Sequence, residues 1–222
     1  MVGAACLSSF CPLLCLSMTL NREEKILIRE QAKKTRNMLH IDGDAGEHLS
    51  ARFFDIFAPR ITTDSVIGLY WPLGKECDTL PLIDDLLAKG YKVALPYIHA
   101  GGAALDFYIW TQDMPLTQSA FGAMHPDVKL GQFGDAVTPD ALLLPLLAYD
   151  RKGNRLGYGA GHYDRYIESL KAQGHDPLRI GIAYMEQICL YPLPAEPHDI
   201  PLDCVLNPNG YTRFSARAPE QK

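Results

Sequence analysis

The spacing of apolar and polar positions divides the chain into alternating helical and extended stretches. Ile28, Ala32, Thr35 and Leu39 recur at near-helical intervals, and Asn21 with Glu24 has the form of a capping box, so a helix is predicted from Asn21 to about Leu39. Asp44 with Glu47 repeats that pattern, and Leu49, Phe53, Phe54 and Phe57 supply the core-facing stripe of a second helix ended by Pro59. Residues 65–71 (SVIGLYW) read as a buried strand, and residues 80–89 as a helix capped by Asp78 or Thr79. Further strands are predicted at 91–95, where Pro96 ends the run, and at 105–110, 141–147, 179–184 and 204–207. The near-continuous apolar run of 141–147 suits a strand covered on both faces. Residues 111–139, with Pro115, Pro126 and Pro139, read as an irregular excursion that covers the site. A helix is predicted from Asp164 to about Ala172, ended by Gly174. Strand and helix signals alternate without a repeat or linker, which implies one α/β domain with a mostly parallel sheet. Residues 18–214 are assigned to it and 215–222 to a disordered tail.

Composition narrows the class. A hydrophobic fraction of 47% and a charged fraction of 21% are those of a soluble globular protein. The net charge of −5 gives a nucleic-acid partner no support. The six cysteines, Cys6, Cys11, Cys15, Cys77, Cys189 and Cys204, include no CxxC pair. They read as reduced thiols of a cytoplasmic protein, with no disulfide framework and no zinc site. The apolar residues 1–17 lack a positive n-region and are too short to span a bilayer. They are read as a disordered tail or the product of an early start codon, and no membrane partner is expected.

Chemistry concentrates in residues 149–166, YDRKGNRLGYGAGHYDRY. The stretch reads as a loop between a buried strand and a helix. Gly153, Gly157, Gly159 and Gly161 let backbone N–H groups turn inward, Arg151, Lys152, Arg155 and Arg165 supply cations, and a following helix N-terminus adds partial positive charge. That is the physics of a phosphate cradle. The spacing matches neither a dinucleotide fingerprint, since His162 stands where glycine is wanted, nor a P-loop. Glycine clusters are often only turns. Here an arginine precedes the glycines, aromatics follow, and Asp164 sits where it could hold a metal ion against a phosphate. Elsewhere the residue types leave alternatives open. Lys25, Arg29 and Lys33 form either a solvated basic face or a set of phosphate ligands. Glu76 is a lone loop acid, and Trp110 suits a core or a cleft equally.

Residues 153–164, GNRLGYGAGHYD, resemble the signature of the 5-formyltetrahydrofolate cyclo-ligase (methenyltetrahydrofolate synthetase) family, roughly G-x-R-L-G-x-G-x-G-x-Y-D, with every fixed position met. The resemblance extends over about residues 25–206. It implies an open, mostly parallel α/β sheet with helices on both faces, Rossmann-like and similar to the CoA-transferase-like fold. It implies ATP-dependent conversion of 5-formyltetrahydrofolate, with or without a polyglutamate tail, to 5,10-methenyltetrahydrofolate by a monomer that uses Mg2+. The family's Lys-x-x-x-Arg helix falls on Lys25 and Arg29, which are then ATP ligands together with Arg155, Leu156, Gly157, Tyr158, Gly159, Ala160, Gly161, His162 and Tyr163. Arg155 and Lys25 are the implied catalytic cations. Trp71 and Glu76 fall at the folate site, with residues 158–162 beside the formyl group. Asp164 and Asp199 are the implied magnesium ligands. Many relatives carry an acid before the proline where this chain has Met124-His125-Pro126, so no role is carried over to His125. Two other readings stay open: another ATP- or sugar-phosphate-using enzyme on a related fold, or a non-catalytic folate- or nucleotide-binding relative. The latter should have lost a phosphate cation or metal ligand, yet Lys25, Arg29, Arg155, Asp164 and Asp199 are all present.

Overall fold

The computed structural model describes residues 12–99, 104–119, 122–131 and 133–220. The first half contains α1 (Pro12–Met38), α2 (Ala45–Phe57), β1 (Val66–Gly68), α3 (Leu80–Ala88), β2 (Lys92–Ile98), β3 (Leu105–Ile109), β4 (Leu116–Gln118) and β5 (Met124–Pro126). The second contains β6 (Ala141–Pro145), β7 (Ala148–Asp150), β8 (Arg155–Leu156), α4 (His162–Ala172), β9 (Leu178–Ile182), β10 (Ile188–Cys189), β11 (Cys204–Asn207) and β12 (Gly210–Arg213).

Seven strands form one sheet in the order β12-β11-β9-β6-β1-β2-β3. The inner pairings are parallel, and β3 and β12 add antiparallel edges. Alternate side chains feed opposite faces, as the period of a strand requires. Leu143, Ile180 and Leu206 meet Leu49, Phe53 and Phe57 of α2 and Leu82, Ile83 and Leu86 of α3 on one face. Leu142, Leu144 and Val205 meet Ile167 and Leu170 of α4 on the other. From β1 the chain moves outward to β2 on one side, and from β6 outward to β9 on the other. The sheet therefore changes direction between β1 and β6, and the carboxyl ends of strands at such a point leave a crevice where ligands bind.

Several boundaries differ from the sequence reading. Helix α1 runs through Asn21 and begins at Pro12, a residue suited to a first helical turn. The predicted tail 1–17 therefore includes helical residues from Pro12 onward, while residues 1–11 lie outside the described residues. Asp44 occupies the cap position of α2 without a side-chain capping bond. Before α3, Asp78 caps by accepting from the Leu80 amide (3.0 Å), while Thr79 donates to the Tyr70 carbonyl (2.8 Å). Strand β2 passes through Pro96, because β1 pairs only with Lys92–Ala94 and no ladder bond is needed from residue 96 on that side. The excursion 111–139 carries a β4–β5 hairpin. The predicted disordered tail is packed over residues 215–220: Ala218 is fully buried, Tyr211 donates to the Pro219 carbonyl (2.7 Å), and Ser215 donates to Asp203 (2.6 Å). Asp203 is itself bound by the Arg179 guanidinium in a buried pair (2.9 and 3.1 Å). The tail thus closes over a charge pair that has to be shielded and satisfied together. Among the described residues no helix is long and apolar enough to cross a membrane, and Cys77, Cys189 and Cys204 are free thiols.

Candidate active site

The stretch 149–166 is more ordered than a loop. Strands β7 and β8 pair antiparallel, with Ala148 opposite Leu156 and Tyr149 opposite Arg155. Asp150, 1% exposed, makes this turn. Its carboxylate accepts from the Lys152 and Asn154 amides (2.8 and 3.0 Å), the Asn154 side chain (2.9 Å) and the Leu193 amide (2.9 Å). Burial alone would raise its pKa, but these four donors together outweigh burial and hold it below the usual carboxylate value. Gly153, at φ +82°, closes the turn against Phe214 and the Leu202 carbonyl, which leave no room for a Cβ. The hairpin then delivers residues 157–161 at the carboxyl end of β6. Helix α4 starts at His162, two residues before the predicted Asp164, so Asp164 lies within its first turn. The first amides of α4 have no preceding helical carbonyl to bind, the usual basis of an anion site.

Helix α1 lies against this loop and brings cations to it. Arg29 Nε donates to the Gly157 carbonyl (3.0 Å), and its guanidinium carbon lies 3.3 Å from where a Cβ on Gly159 would stand. Gly159 has φ +103°, so the glycine is required by both conformation and space. Lys25 is 5% exposed and bridges Glu196 (2.6 Å) and Asp199 (2.5 Å). Arg155 donates to Asp164 Oδ1 (2.8 Å) and to the Ile200 carbonyl, and the Ile200 amide donates to the same Asp164 oxygen (3.1 Å). Each implied metal ligand is therefore held by an implied phosphate cation, and Asp164 binds the peptide that follows Asp199. Arg165 donates to the Ala160 carbonyl (2.8 Å) and reaches the His162 ring (3.2 Å). Burial first and the Arg165 charge second hold the His162 pKa below its usual value.

A three-donor cluster suited to a metal ion is formed by Glu196, His198 and Asp199, whose ligand atoms lie within 4.8 Å of one another. Asp199 belongs to it, as the resemblance implied, whereas Asp164 stands outside it. One oxygen of each of Asp164, Asp199 and Glu196 carries the contacts described above, and the second oxygen of each has no protein donor among the described residues. Hard, anionic oxygens of this kind fit a magnesium ion, which also keeps several waters.

A cavity of about 720 Å3 opens between these groups and the ends of β1 and β2. Every site residue that the family resemblance implied borders it, whereas Arg151, Lys152 and Arg165, named as cations of the cradle, do not line it. Leu156 borders it with its side chain turned to Ala148 and Leu193, so its contribution is the backbone. Trp71 stands at the far end, edge-on to Trp110 at 5.6 Å between ring centres. Trp110 is 5% exposed and donates to the Met114 carbonyl (3.2 Å): it is a core residue that props Trp71. Glu76 accepts from the Leu73 amide (2.9 Å) on one oxygen and from the Tyr158 hydroxyl on the other. Burial raises its pKa despite Tyr158, the Leu73 amide and Arg36, all of which pull it down. Burial and the adjacent Glu76 likewise push the Tyr158 hydroxyl well up.

Sequence reasoning missed several groups here. Arg22, Tyr70, Glu196 and His198 line the cavity, as do Ser119, Ala123, Met124 and His125 around the β4–β5 hairpin. Arg36 is buried behind Tyr158. Its signal was available: Arg22, Lys25, Arg29 and Arg36 are spaced three, four and seven apart, one stripe of a helix. Lys33, which the four-residue row had singled out, turns instead to Glu30 on the surface (3.1 Å). His125 rests edge-on to Tyr97 at 5.1 Å and bonds the Pro126 carbonyl through its ring (3.0 Å).

Comparison with known proteins identifies the family. Residues 21–208 match the 5-formyltetrahydrofolate cyclo-ligase family. The chain is 40% identical over 208 residues to the 5-formyltetrahydrofolate cyclo-ligase of Saccharomyces cerevisiae, covering 84% of this chain and 96% of the yeast protein. It is 30% identical over 190 residues to that of Haemophilus influenzae, covering 84% and 99%. The NMR structure of Aquifex aeolicus 5,10-methenyltetrahydrofolate synthetase superposes with a TM-score of 0.68 at 26% identity, covering 89% of this chain and 96% of that one. The Mycoplasma pneumoniae 5,10-methenyltetrahydrofolate synthetase shares the fold, with a TM-score of 0.60 at 22% identity over 83% of this chain and 98% of that one. With residues 21–208 matched by the family and relatives 30–40% identical over 84% of its length, this chain belongs to the 5-formyltetrahydrofolate cyclo-ligase family.

Proposed function

We propose that the 720 Å3 cavity is where this chain carries out its family's reaction, with ATP at the α1 and glycine-loop end and folate at the Trp71 and Glu76 end. The reaction converts 5-formyltetrahydrofolate and ATP to 5,10-methenyltetrahydrofolate, ADP and phosphate. Its chemistry explains the arrangement. The N5-formyl group is an amide, a poor electrophile whose oxygen is a poor leaving group. Transfer of the γ-phosphoryl to that oxygen makes it a phosphate. N10 attacks the formyl carbon, the C–O bond to phosphate breaks, the N10 proton passes to the departing phosphate or to solvent, and the imidazolinium ring closes. Both nucleophiles come from the substrate, so the protein's work is positioning and charge stabilisation.

The residues present are suited to that work. The residue 157–161 backbone and the start of α4 receive phosphate oxygens, and Lys25, Arg29 and Arg155 neutralise them. Asp164 and Asp199, with Glu196 beside them, would hold Mg2+, which screens phosphate charge when bound. Release of Lys25 and Arg155 from their carboxylate partners to phosphate keeps each charge compensated. Glu76 offers acceptors to the N–H groups of the pterin, and Trp71 offers a flat apolar face. The His162 ring, held neutral, can sit beside the formyl group without adding charge. The observation that carries this reading is that phosphate cations, carboxylates, Trp71 and Glu76 all border one cavity. The test is ADP release from Mg-ATP. It should require 5-formyltetrahydrofolate and fall by about a hundredfold or more in Arg155→Met. Release that ignores the folate would refute the assignment.

A further inference from the structure

We propose that Arg36 is a positioning residue for folate recognition: by donating to the Tyr158 hydroxyl it commits the Tyr158 proton to Glu76, and so keeps Glu76 an ionised double acceptor at the cavity wall. The proposal rests on the reading of Glu76 as the pterin-facing carboxylate.

Arg36 NH1 lies 2.6 Å from the Tyr158 hydroxyl oxygen and 3.8 Å from Glu76 Oε1. A guanidinium has no acceptor, so the hydroxyl must accept from it. With one lone pair given to Arg36, the hydroxyl donates its single proton to Glu76 Oε1 beside it. The other Glu76 oxygen accepts from the Leu73 amide, which can only donate. Both oxygens therefore act as acceptors, the pattern of an ionised carboxylate. Without Arg36 the Tyr158 hydroxyl can turn a lone pair to Glu76 and accept a proton from it. Glu76 would then be neutral over a wider pH range and would meet the N–H groups of the pterin without its negative charge.

The surroundings leave this task to Arg36 alone. Around Glu76 stand Tyr158 from the glycine loop, Tyr70 at the end of β1, Tyr163 of α4, Tyr184 after β9, and Cys77 and Asp78 on its own segment. Among the described residues whose charge acts on Glu76, Arg36 is the only cation. Burial opposes a charged Glu76, which makes the compensation necessary. Arg36 is 7% exposed, and its Nε has no partner among the described residues. Its guanidinium also lies over the Tyr158 ring, 5.5 Å from the centre. Burying a guanidinium with a donor unspent is unfavourable for stability by itself. The feature that needs an arginine is the proton on Tyr158.

The experiment titrates Glu76 in the free protein by carboxyl 13C NMR with labelled glutamate, the resonance being identified by its loss in E76Q. In Arg36→Met the titration should move up by about one pH unit or more, and Arg36→Lys should retain part of the wild-type value. A folded Arg36→Met protein that titrates with the wild type overturns the proposal. Calorimetry with 5-formyltetrahydrofolate, without ATP, follows the consequence. Below both titration midpoints Arg36→Met should bind about tenfold more weakly than wild type, and between them about threefold. Above both it should bind alike, with Mg-ATP affinity unchanged throughout. A loss equal at every pH would mean a structural role and would overturn the proposal. If Arg36→Met does not fold, Arg36→Lys carries both comparisons. Wild-type folate affinity in E76Q at every pH would overturn the folate reading of Glu76, and the recognition half of the proposal with it. The NMR titration decides the proton-control half separately.

Discussion

Substitution of Gly159 by alanine should weaken Mg-ATP binding through the backbone of the glycine loop. At φ +103° an alanine is strained by about 1–3 kcal/mol. Its Cβ would stand 3.3 Å from the Arg29 guanidinium carbon and 3.4 Å from Arg29 Nε, the atom that donates to the Gly157 carbonyl. Displacing that donor removes a hydrogen bond worth about 1 kcal/mol. The free loop can relax by abandoning positive φ, so the bound form must recover the whole penalty. About 1–4 kcal/mol corresponds to Mg-ATP binding weakened between about fivefold and several hundredfold. Gly157 is the internal control. It has no positive φ and nothing within 4 Å of a Cβ, so Gly157→Ala should leave the loop and the melting temperature unchanged. Calorimetry with Mg-ATP and thermal melting on both variants provide the test. Mg-ATP affinity within twofold of wild type in Gly159→Ala, or a melting temperature lowered more by Gly157→Ala than by Gly159→Ala, would refute the backbone argument.

Other perturbations address other parts of the account. Asp203 is pulled up by burial, but the Arg179 side chain and amide and the Ser215 hydroxyl outweigh burial and hold its pKa below the usual value. A depressed folded pKa gives stability that is present above the unfolded value of about 4 and is lost as pH falls through the folded value. Asp203→Asn should therefore cost about 3–5 kcal/mol at neutral pH and flatten the acid limb of stability, measured by urea unfolding; an unchanged acid limb would contradict the pairing. Lys25→Met leaves Glu196 and Asp199 without their shared cation, so Mn2+ binding without nucleotide, read by EPR, should tighten while Mg-ATP binding weakens; unchanged Mn2+ affinity would show that Lys25 does not compete for those carboxylates. Trp71→Ala should weaken 5-formyltetrahydrofolate by about 0.5–1.5 kcal/mol and leave Mg-ATP alone, checked by calorimetry.

Local signals carried much of this structure and missed what long-range contacts decide. The apolar stripe of α2 and the runs at β1, β6 and β11 were legible because each is fixed by burial periodicity. The glycine loop was legible as a cradle. Its β7–β8 hairpin was not, because Asp150 makes that turn partly through the Leu193 amide, 43 residues away. Arg36 was missed because the row at Lys25, Arg29 and Lys33 looked more regular than the true 3.6-residue stripe. Glu196 and His198 gained meaning only when folding placed them beside Lys25 and Asp199. The pairing of Arg155 with Asp164 was likewise hidden, since it depends on the turn at Gly161 that starts α4 two residues early.

The central claim is that this cavity closes the methenyl ring with ATP. The most direct measurement is growth of the 5,10-methenyltetrahydrofolate absorbance band after mixing the protein with 5-formyltetrahydrofolate and Mg-ATP, beside an Asp164→Ala variant and a sample without ATP. The account expects the band to grow only in the complete wild-type reaction. A flat trace from folded protein that binds ATP, or a band that grows without ATP, would contradict it.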